Sequence, residues 1–353
     1  MNAPENQSGR TLRCAVVGVG RMGRHHARVY SEADGVTLVG VVDADEERRE
    51  SVAEARACRA FATVEDLLEA GVDAVSVAVP TVAHLKEAKP LLEAGVACLI
   101  EKPLAPDADE AEKIASIAEA SGAVLQVGHI ERYNPAVRAL RRRKADDGSP
   151  EIVPRFIEVH RVSPMTFRSL DVSVVFDMMI HDLDVVLMLM GGTEPVEVQA
   201  AGVPVITEHD DVCNARLTFE RPQGVCVANI TASRLAFKTE RKTRIIADDA
   251  YVSIDYAKRA GVLIRRTANA AQLDEVRDAL RHGKDLSDLD YGTLVHTEDL
   301  QVADADQLEL QIGEFLESVR TGRRPDVDAR AGFAAVKTAE RIEAASRAIR
   351  KRG

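Results

Sequence analysis

The sequence predicts an α/β chain in two parts. The first is a parallel sheet covered on both faces. The second is an α+β part built on a large, mainly antiparallel sheet. Up to residue 127 or so, short apolar runs alternate with helical stretches, the βαβα rhythm of a parallel sheet. From 156 onward several runs alternate apolar and polar residues, as in a sheet with one covered face. A glycine-rich turn also follows the first apolar run directly.

The first strand is expected over 12–17 and runs into Gly18-Val19-Gly20-Arg21-Met22-Gly23. Gly18 allows a tight turn, Gly20 lets a pyrophosphate approach the backbone, and Gly23 lets the next helix pack closely. That helix, near 21–33, offers its free N–H groups and positive dipole end to phosphate, with Arg21 and Met22 in the turn. The second strand, 36–42, ends in Asp43, placed to accept hydrogen bonds from an adenosine ribose. Strand, glycines, helix, strand and acid together specify a Rossmann dinucleotide-binding domain. Asp43 favours NAD over NADP, because it would repel a 2′-phosphate.

Further strands are expected at 74–79, 96–100 and 123–127, with helices near 45–57, 63–70, 81–94 and 107–121. Ligands of such sheets bind beyond the carboxyl ends of the strands. One of these ends carries Ala78, Pro80 and Thr81, with His84 a turn later, and the next carries Glu101, Lys102 and Pro103. Proline disfavours the α region at the residue before it, so Lys102 is held extended toward the cofactor crevice.

The second part begins with a strand over 156–162 and a helix over roughly 172–190. Strands are expected at 196–206, 212–219, 224–234, 241–248, 250–256 and 261–266, and helices at 306–321 and 329–350. The acidic stretch 268–304 is expected to be an irregular loop. On the 172–190 helix, Asp177, His181 and Asp184 would share one face. Histidine suits proton transfer near neutral pH. A helical histidine is ordinarily a packing residue. Beside Lys102-Pro103 and the nucleotide motif, His181 reads as catalytic. Arg161, Ser163, Arg168 and Arg234 lie where they could read a phosphorylated or carboxylated substrate.

Composition excludes other classes. The net charge is −11, against general nucleic-acid binding. The basic cluster from Arg138 to Lys144 reads as the solvated end of a helix. The five cysteines are scattered, without the spacing of a zinc site or disulfide framework. No apolar run approaches the roughly 20 residues needed to span a bilayer. Met1–Arg10 is polar, without a signal-peptide core, and is expected to be a frayed tail. A cytoplasmic location and no metal are expected.

Gly-x-Gly-x-x-Gly, Glu101-Lys102-Pro103 and Asp177-x-x-x-His181 together resemble the Gfo/Idh/MocA oxidoreductases. The segment from Val127 to Pro135 and the closing stretch from Glu314 to Pro325 are similar as well, so the resemblance covers nearly the whole chain. It implies an NAD-binding domain over 1–133 and a substrate and oligomerisation domain over 134–353. It also implies that Lys102, Asp177 and His181 form the catalytic group. We place His129 and Arg132 with the cofactor, and Tyr133 and Asn134 with the substrate. One departure is visible: Asp171-Val172-Ser173-Val174-Val175 stands where many members carry a Gly-Gly pair, which implies a differently shaped pocket. Within the family the chain is similar to the nucleotide-sugar branch, and more narrowly to UDP-N-acetylglucosamine 3-dehydrogenases. Those serve 2,3-diamino sugar synthesis for lipid A. A free polyol or hexose is the alternative substrate, and a non-catalytic nucleotide sensor the alternative of another class. A homodimer or homotetramer is expected through a sheet face carrying Val196, Val198, Val203 and Val205.

Overall fold

The computed structural model describes residues 10–167 and 170–351, so most of the expected N-terminal tail lies outside the described residues. The first sheet holds β1 (Leu12–Val17), β2 (Val36–Val42), β3 (Arg59–Phe61), β4 (Ala74–Val77), β5 (Ala97–Ile100) and β6 (Leu125–Val127). They are parallel, in the order β3-β2-β1-β4-β5-β6. The order reverses beside β1, and that reversal opens the crevice in which such sheets bind ligands. β3 has no counterpart among the expected strands, because three residues give no periodicity.

The crossovers are α1 (Gly23–Glu32), α2 (Glu46–Ala55), α3 (Val64–Ala70), α4 (His84–Glu93) and α5 (Ala108–Ser121). Asp45, Thr63 and Asp107 cap α2, α3 and α5 with side-chain oxygens. α6 (Pro135–Arg142) starts with a proline and a capping Asn134, and ends in Arg141 and Arg142, where cations favour the helix dipole.

The second sheet holds β7 (Phe156–Val162), β8 (Glu197–Val203), β9 (Val212–Phe219), β10 (Cys226–Ser233), β11 (Glu240–Ile246), β12 (Ala250–Asp255), β13 (Ala260–Arg266) and β14 (Val295–Asp299). Its order is β14-β13-β12-β11-β7-β10-β9-β8, antiparallel except where β10 runs parallel to β7. One face is covered: Ile157, Val159, Ala228, Ile230, Ile245 and Val252 are buried on it, beneath α7 (Ile180–Leu189) and α10 (Ala329–Arg350). The other face presents residues such as Glu158, His160, Asn229 and Tyr251, which are half-buried.

The stretch 268–304 corrects the expectation of an irregular loop. It contains α8 (Ala270–Arg281), a 3-10 turn at Tyr291–Thr293, and β14. α8 buries none of its residues, yet Leu273, Val276 and Leu280 recur at helical spacing, and the capping box of Asn269 and Gln272 marks its start.

The last two helices return to the first sheet. α9 (Gln307–Thr321) buries Leu308, Ile312, Phe315 and Leu316 in a core shared with Val16, Val29 and Val41. α10 passes so close to β6 that a side chain at Gly332 would meet Val127 and Leu104. No helix among the described residues is long and apolar enough to cross a membrane.

Two buried arginines fasten α7. Arg132 makes a two-pronged contact with Asp184 at 2.7 and 2.6 Å and donates to the Asp326 carbonyl at 2.7 Å. Arg161, on β7, grips Asp182 at 2.6 and 2.9 Å and reaches Glu131 at 3.0 Å. Removing one partner of a buried pair strands the other's charge. Arg132→Ala is therefore expected to cost about 3–5 kcal/mol of stability, read by urea unfolding. A loss under about 1 kcal/mol, the range of surface pairs, would contradict this role.

Candidate active site

The glycine turn is built as its residue types require. Gly18 has φ +82°, and a Cβ there would press on the backbone of Ala78 and Val79. A Cβ on Gly23 would run into the Gly18 carbonyl, so α1 can start this close to β1 only with glycine. A Cβ on Gly20 would meet nothing within 4 Å, which leaves open space over the helix start. α1 has no side-chain cap and no acid in its first turn, unlike α2, α3 and α5. An uncapped N-terminus under an open glycine fits a dinucleotide pyrophosphate. Asp43 accepts from the Val19 and Asp45 backbone N–H groups at 2.9 and 3.0 Å. Arg48 reaches the same carboxylate at 3.2 Å, so a cation stands beside the acid that faces the ribose position. Ala78, Pro80 and Thr81 lie at the end of β4 next to this turn.

Glu101 and Lys102 follow β5. The Glu101 carboxylate accepts from His26 Nε2 at 3.0 Å and from the Lys102 backbone N–H at 3.2 Å. Behind it, His26 Nδ1 meets Ser76 Oγ at 2.9 Å, and Ser76 meets the Tyr30 hydroxyl at 2.8 Å. Burial opposes the Glu101 charge, but the His26 hydrogen bond and the nearby Lys102 outweigh it and hold the pKa below the ordinary value. His26 is buried and braces Glu101 from within. The Lys102–Pro103 peptide bond is cis.

Lys102 Nζ donates to the Asp177 carbonyl at 2.8 Å, which joins the first sheet to the approach to α7. Burial lowers the Lys102 pKa, against the pull of Asp177 and Glu101. His181 stands in the first turn of α7. Burial, then the charges of Lys102 and Arg161, push its pKa well below the ordinary histidine value, so the ring is neutral at pH 7. Its Nδ1 is enclosed without a partner among the described residues, while Nε2 is not so enclosed.

Several expectations are corrected here. Residues 175–179 form a turn of π-helix, which shifts the register ahead of His181. No hydrogen bond joins Asp177 to His181 among the described residues. Asp177 acts on Lys102 instead, by its carbonyl and its charge. Asp184 is committed to Arg132. Arg132 and Arg161, expected at cofactor and substrate, are committed to their aspartates. Arg234, expected at the substrate, is buried and bound to Asp211 at 2.8 Å and to the Val172 carbonyl at 3.0 Å. His84, expected at the cofactor, is buried with its ring between the Leu104 and Val79 carbonyls, tying the ends of β4 and β5 together. Asn134 caps α6 through its side-chain oxygen. Tyr133 is buried and lines a cavity of about 720 Å³ between α6 and α9, which does not include His181. Arg168 lies outside the described residues.

His129 is wholly buried, and neither ring nitrogen has a partner among the described residues. Its charge, if present, would bear on His181, which places it behind the site. Ser163 sits at the end of β7, its amide donating to the Ser233 carbonyl at 2.9 Å. Arg241, one of the cations between Lys238 and Arg244, has the parity of the covered face of β11 and stands opposite Arg161.

Residues 12–129 match the family model described as the NAD-binding Rossmann fold of the Gfo/Idh/MocA oxidoreductase family. Residues 158–253 match a Gfo/Idh/MocA C-terminal domain. The chain is 36% identical to a UDP-N-acetylglucosamine 3-dehydrogenase of Acidithiobacillus ferrooxidans, over 97% of this chain and 99% of the relative. A solved structure of that enzyme superposes with a TM-score of 0.82, covering 96% of this chain and 98% of the other. A scyllo-inositol 2-dehydrogenase (NAD(+)) of Bacillus subtilis is 28% identical over 90% of each chain. With the glycine turn, the Lys102 strand end and the second sheet all in place, this chain belongs to the Gfo/Idh/MocA oxidoreductases and carries their NAD-binding Rossmann domain.

Proposed function

We propose that the protein oxidises a secondary hydroxyl of a nucleotide sugar, with UDP-N-acetylglucosamine at C3 as the substrate and NAD as the cofactor. The observation that carries this is the convergence of Lys102 and His181 at the carboxyl end of the first sheet. The full-length likeness to a named UDP-sugar dehydrogenase supports it. The α1 start and Asp43 would hold NAD, which supplies the hydride acceptor when bound. His181, neutral because of its burial and its cationic neighbours, takes the hydroxyl proton at Nε2. Lys102 keeps N–H groups free beyond its bond to the Asp177 carbonyl, and these stabilise negative charge growing on the substrate oxygen. The substrate domain begins near residue 134 in this reading. A sensor without chemistry would have no need of a neutral histidine and a lysine set together.

His181→Ala is expected to cut single-turnover hydride transfer by about 10²–10⁴-fold while NAD affinity holds. Near-normal transfer in that variant would reject His181 as the base. The base works only when neutral. Because its pKa is lowered, activity should persist below the ordinary 6.5 and be lost only at still lower pH. Lys102 works only when charged. Its lowered pKa should bring the alkaline loss of activity below the ordinary 10.5. A pH profile of kcat with an acid limb centred at or above 6.5 would contradict the assignment.

NAD is expected to exceed NADP in kcat/KM, since Asp43 is set against a 2′-phosphate; Arg48 softens the gap. Asp43→Ser should narrow it further, and equal use of both cofactors by the unaltered protein would remove Asp43 from this role.

We also propose a homo-oligomer through the second sheet. Val196, Val203 and Val205 are exposed as expected, but Val198 turns inward against the core. The open face of β7, β10 and β11 therefore offers the broader surface for a symmetric contact. Light scattering should give a dimer or tetramer, and a monomer at all concentrations would exclude it.

A further inference from the structure

Arg241 is a guanidinium without a side-chain partner among the described residues, in a molecule that pairs Arg132, Arg161 and Arg234. On β11, Thr243 and Ile245 are buried on the covered face, and Arg241 shares their parity. Its register partner is Arg161, whose guanidinium holds Asp182 beside His181. Arg241 thus leaves the sheet on the catalytic side, one strand from Arg161. Yet it is exposed, and its side chain makes no hydrogen bond or ion pair among the described residues. Its charge is near enough to bear on His181 and Asp182.

Just upstream, the β10–β11 connection carries Phe237, which is 100% exposed, followed by Lys238, exposed and without an ion pair among the described residues. The Ala236 amide donates to the Ser163 carbonyl at 3.1 Å, fastening this loop to the one that follows β7. That second loop presents Phe167, 74% exposed. These are the exposed phenylalanines among the described residues; Phe61, Phe176, Phe219 and Phe315 are buried. An exposed aromatic ring beside a cleft offers a flat apolar face on which a planar base can stack.

Back along the chain from Arg241 lie the second cation Lys238 and the ring of Phe237, and the loop tied to theirs carries Phe167. Phe237 lies four residues before Arg241, at most about 14 Å of extended chain. A nucleoside diphosphate joined to a sugar has the matching order: reacting sugar, double anion, flat base. We propose that Arg241 holds the diphosphate of the substrate and that Phe237 covers its base, so that the outer cleft selects a sugar nucleotide over a free sugar. This rests on the nucleotide-sugar reading above. A free polyol carries neither anion nor base, and would leave both residues idle.

The test uses the NAD-loaded protein with UDP, inorganic pyrophosphate and UDP-N-acetylglucosamine as probes. Calorimetry should show UDP binding that Arg241→Ala weakens about tenfold or more, the scale of one charge-assisted hydrogen bond. The KM for UDP-N-acetylglucosamine should rise by more than kcat falls, and Arg241→Lys should recover part of the loss. Phe237→Ala should weaken UDP but not pyrophosphate. Both sites are exposed, so melting temperature and NAD affinity should hold in every variant, which separates lost contact from lost fold. If the unaltered protein oxidises the UDP-sugar and both alanine variants keep its UDP affinity and KM, the assignment of Arg241 and Phe237 is wrong and the nucleotide-sugar reading stands. If the unaltered protein neither binds UDP nor oxidises any UDP-sugar, that reading fails and this inference fails with it.

Discussion

The structure depends on how α7 is held. Asp182 and Asp184 leave the helix on either side of Leu183, and each is gripped by a buried arginine from a different part of the chain. Arg161 comes from β7 in the second sheet. Arg132 comes from the segment that follows β6 of the first, and its neighbour Glu131 takes a third bond from Arg161. The helix is therefore located against both sheets at once. Buried ion pairs are poor sources of net stability, because desolvation offsets most of their attraction. What they enforce is geometry. Any shift of α7 along either sheet would strand a charge in a place without water. His181 sits one residue from Asp182 and inherits that fixed position.

The same arrangement sets the chemistry. The arginine charge on β7 and the Lys102 ammonium lie close to His181, and both favour its neutral form. A clamp that positions the helix thereby also favours the neutral form of His181, the proposed base. On the opposite side the Glu101 carboxylate is braced by a buried chain running through His26, Ser76 and Tyr30. Lys102 is fixed through its own N–H on Glu101 and through its ammonium on the Asp177 carbonyl. Lys102 is thus held from within the first sheet, and its bond to the Asp177 carbonyl crosses toward α7 alongside the Arg132–Asp184 and Arg161–Glu131 pairs.

What the sequence could reveal follows from the range of the forces involved. The parallel sheet, the glycine turn and the Lys102 strand end were legible because each rests on local rules: a strand period, a φ value, a close approach. The arginines were not. Arg132, Arg161 and Arg234 are cations near the site in sequence, and they read naturally as ligands of the cofactor or the substrate. Their partners lie 52, 21 and 23 residues away, and only the folded chain shows them to be committed. Asp177 misled for a different reason. The spacing rule speaks only of a shared face, and in the folded chain the bond Asp177 makes near the site is through its carbonyl, to Lys102, while no hydrogen bond joins it to His181 among the described residues. The short β3 escaped because three residues show no period, and α8 because its helical spacing of Leu273, Val276 and Leu280 lies inside a stretch dominated by acidic residues. Arg241 did leave a signal. In Glu240-Arg241-Lys242-Thr243-Arg244-Ile245 the inward parity is set by Ile245, and a cation of that parity near a strand end, beside the catalytic helix, is an unusual thing to bury or to leave unpaired.

The distribution of paired and unpaired charge divides the cleft into two regions. The inner region, around Lys102 and His181, is fixed by bonds that cross from one sheet to the other. Changes there disturb the fold and the chemistry together. The outer region is carried by the strand ends and loops of the second sheet, where Phe167, Phe237 and Lys238 make no side-chain hydrogen bond or ion pair with the clamp among the described residues. Substitutions in that region leave Asp182 and Asp184 held. A scaffold of this kind can change which molecule it admits without changing what it does to a hydroxyl group. The separation is physical: the ion pairs that would be costly to break lie under α7, and the residues free to meet a ligand lie beyond its first turn.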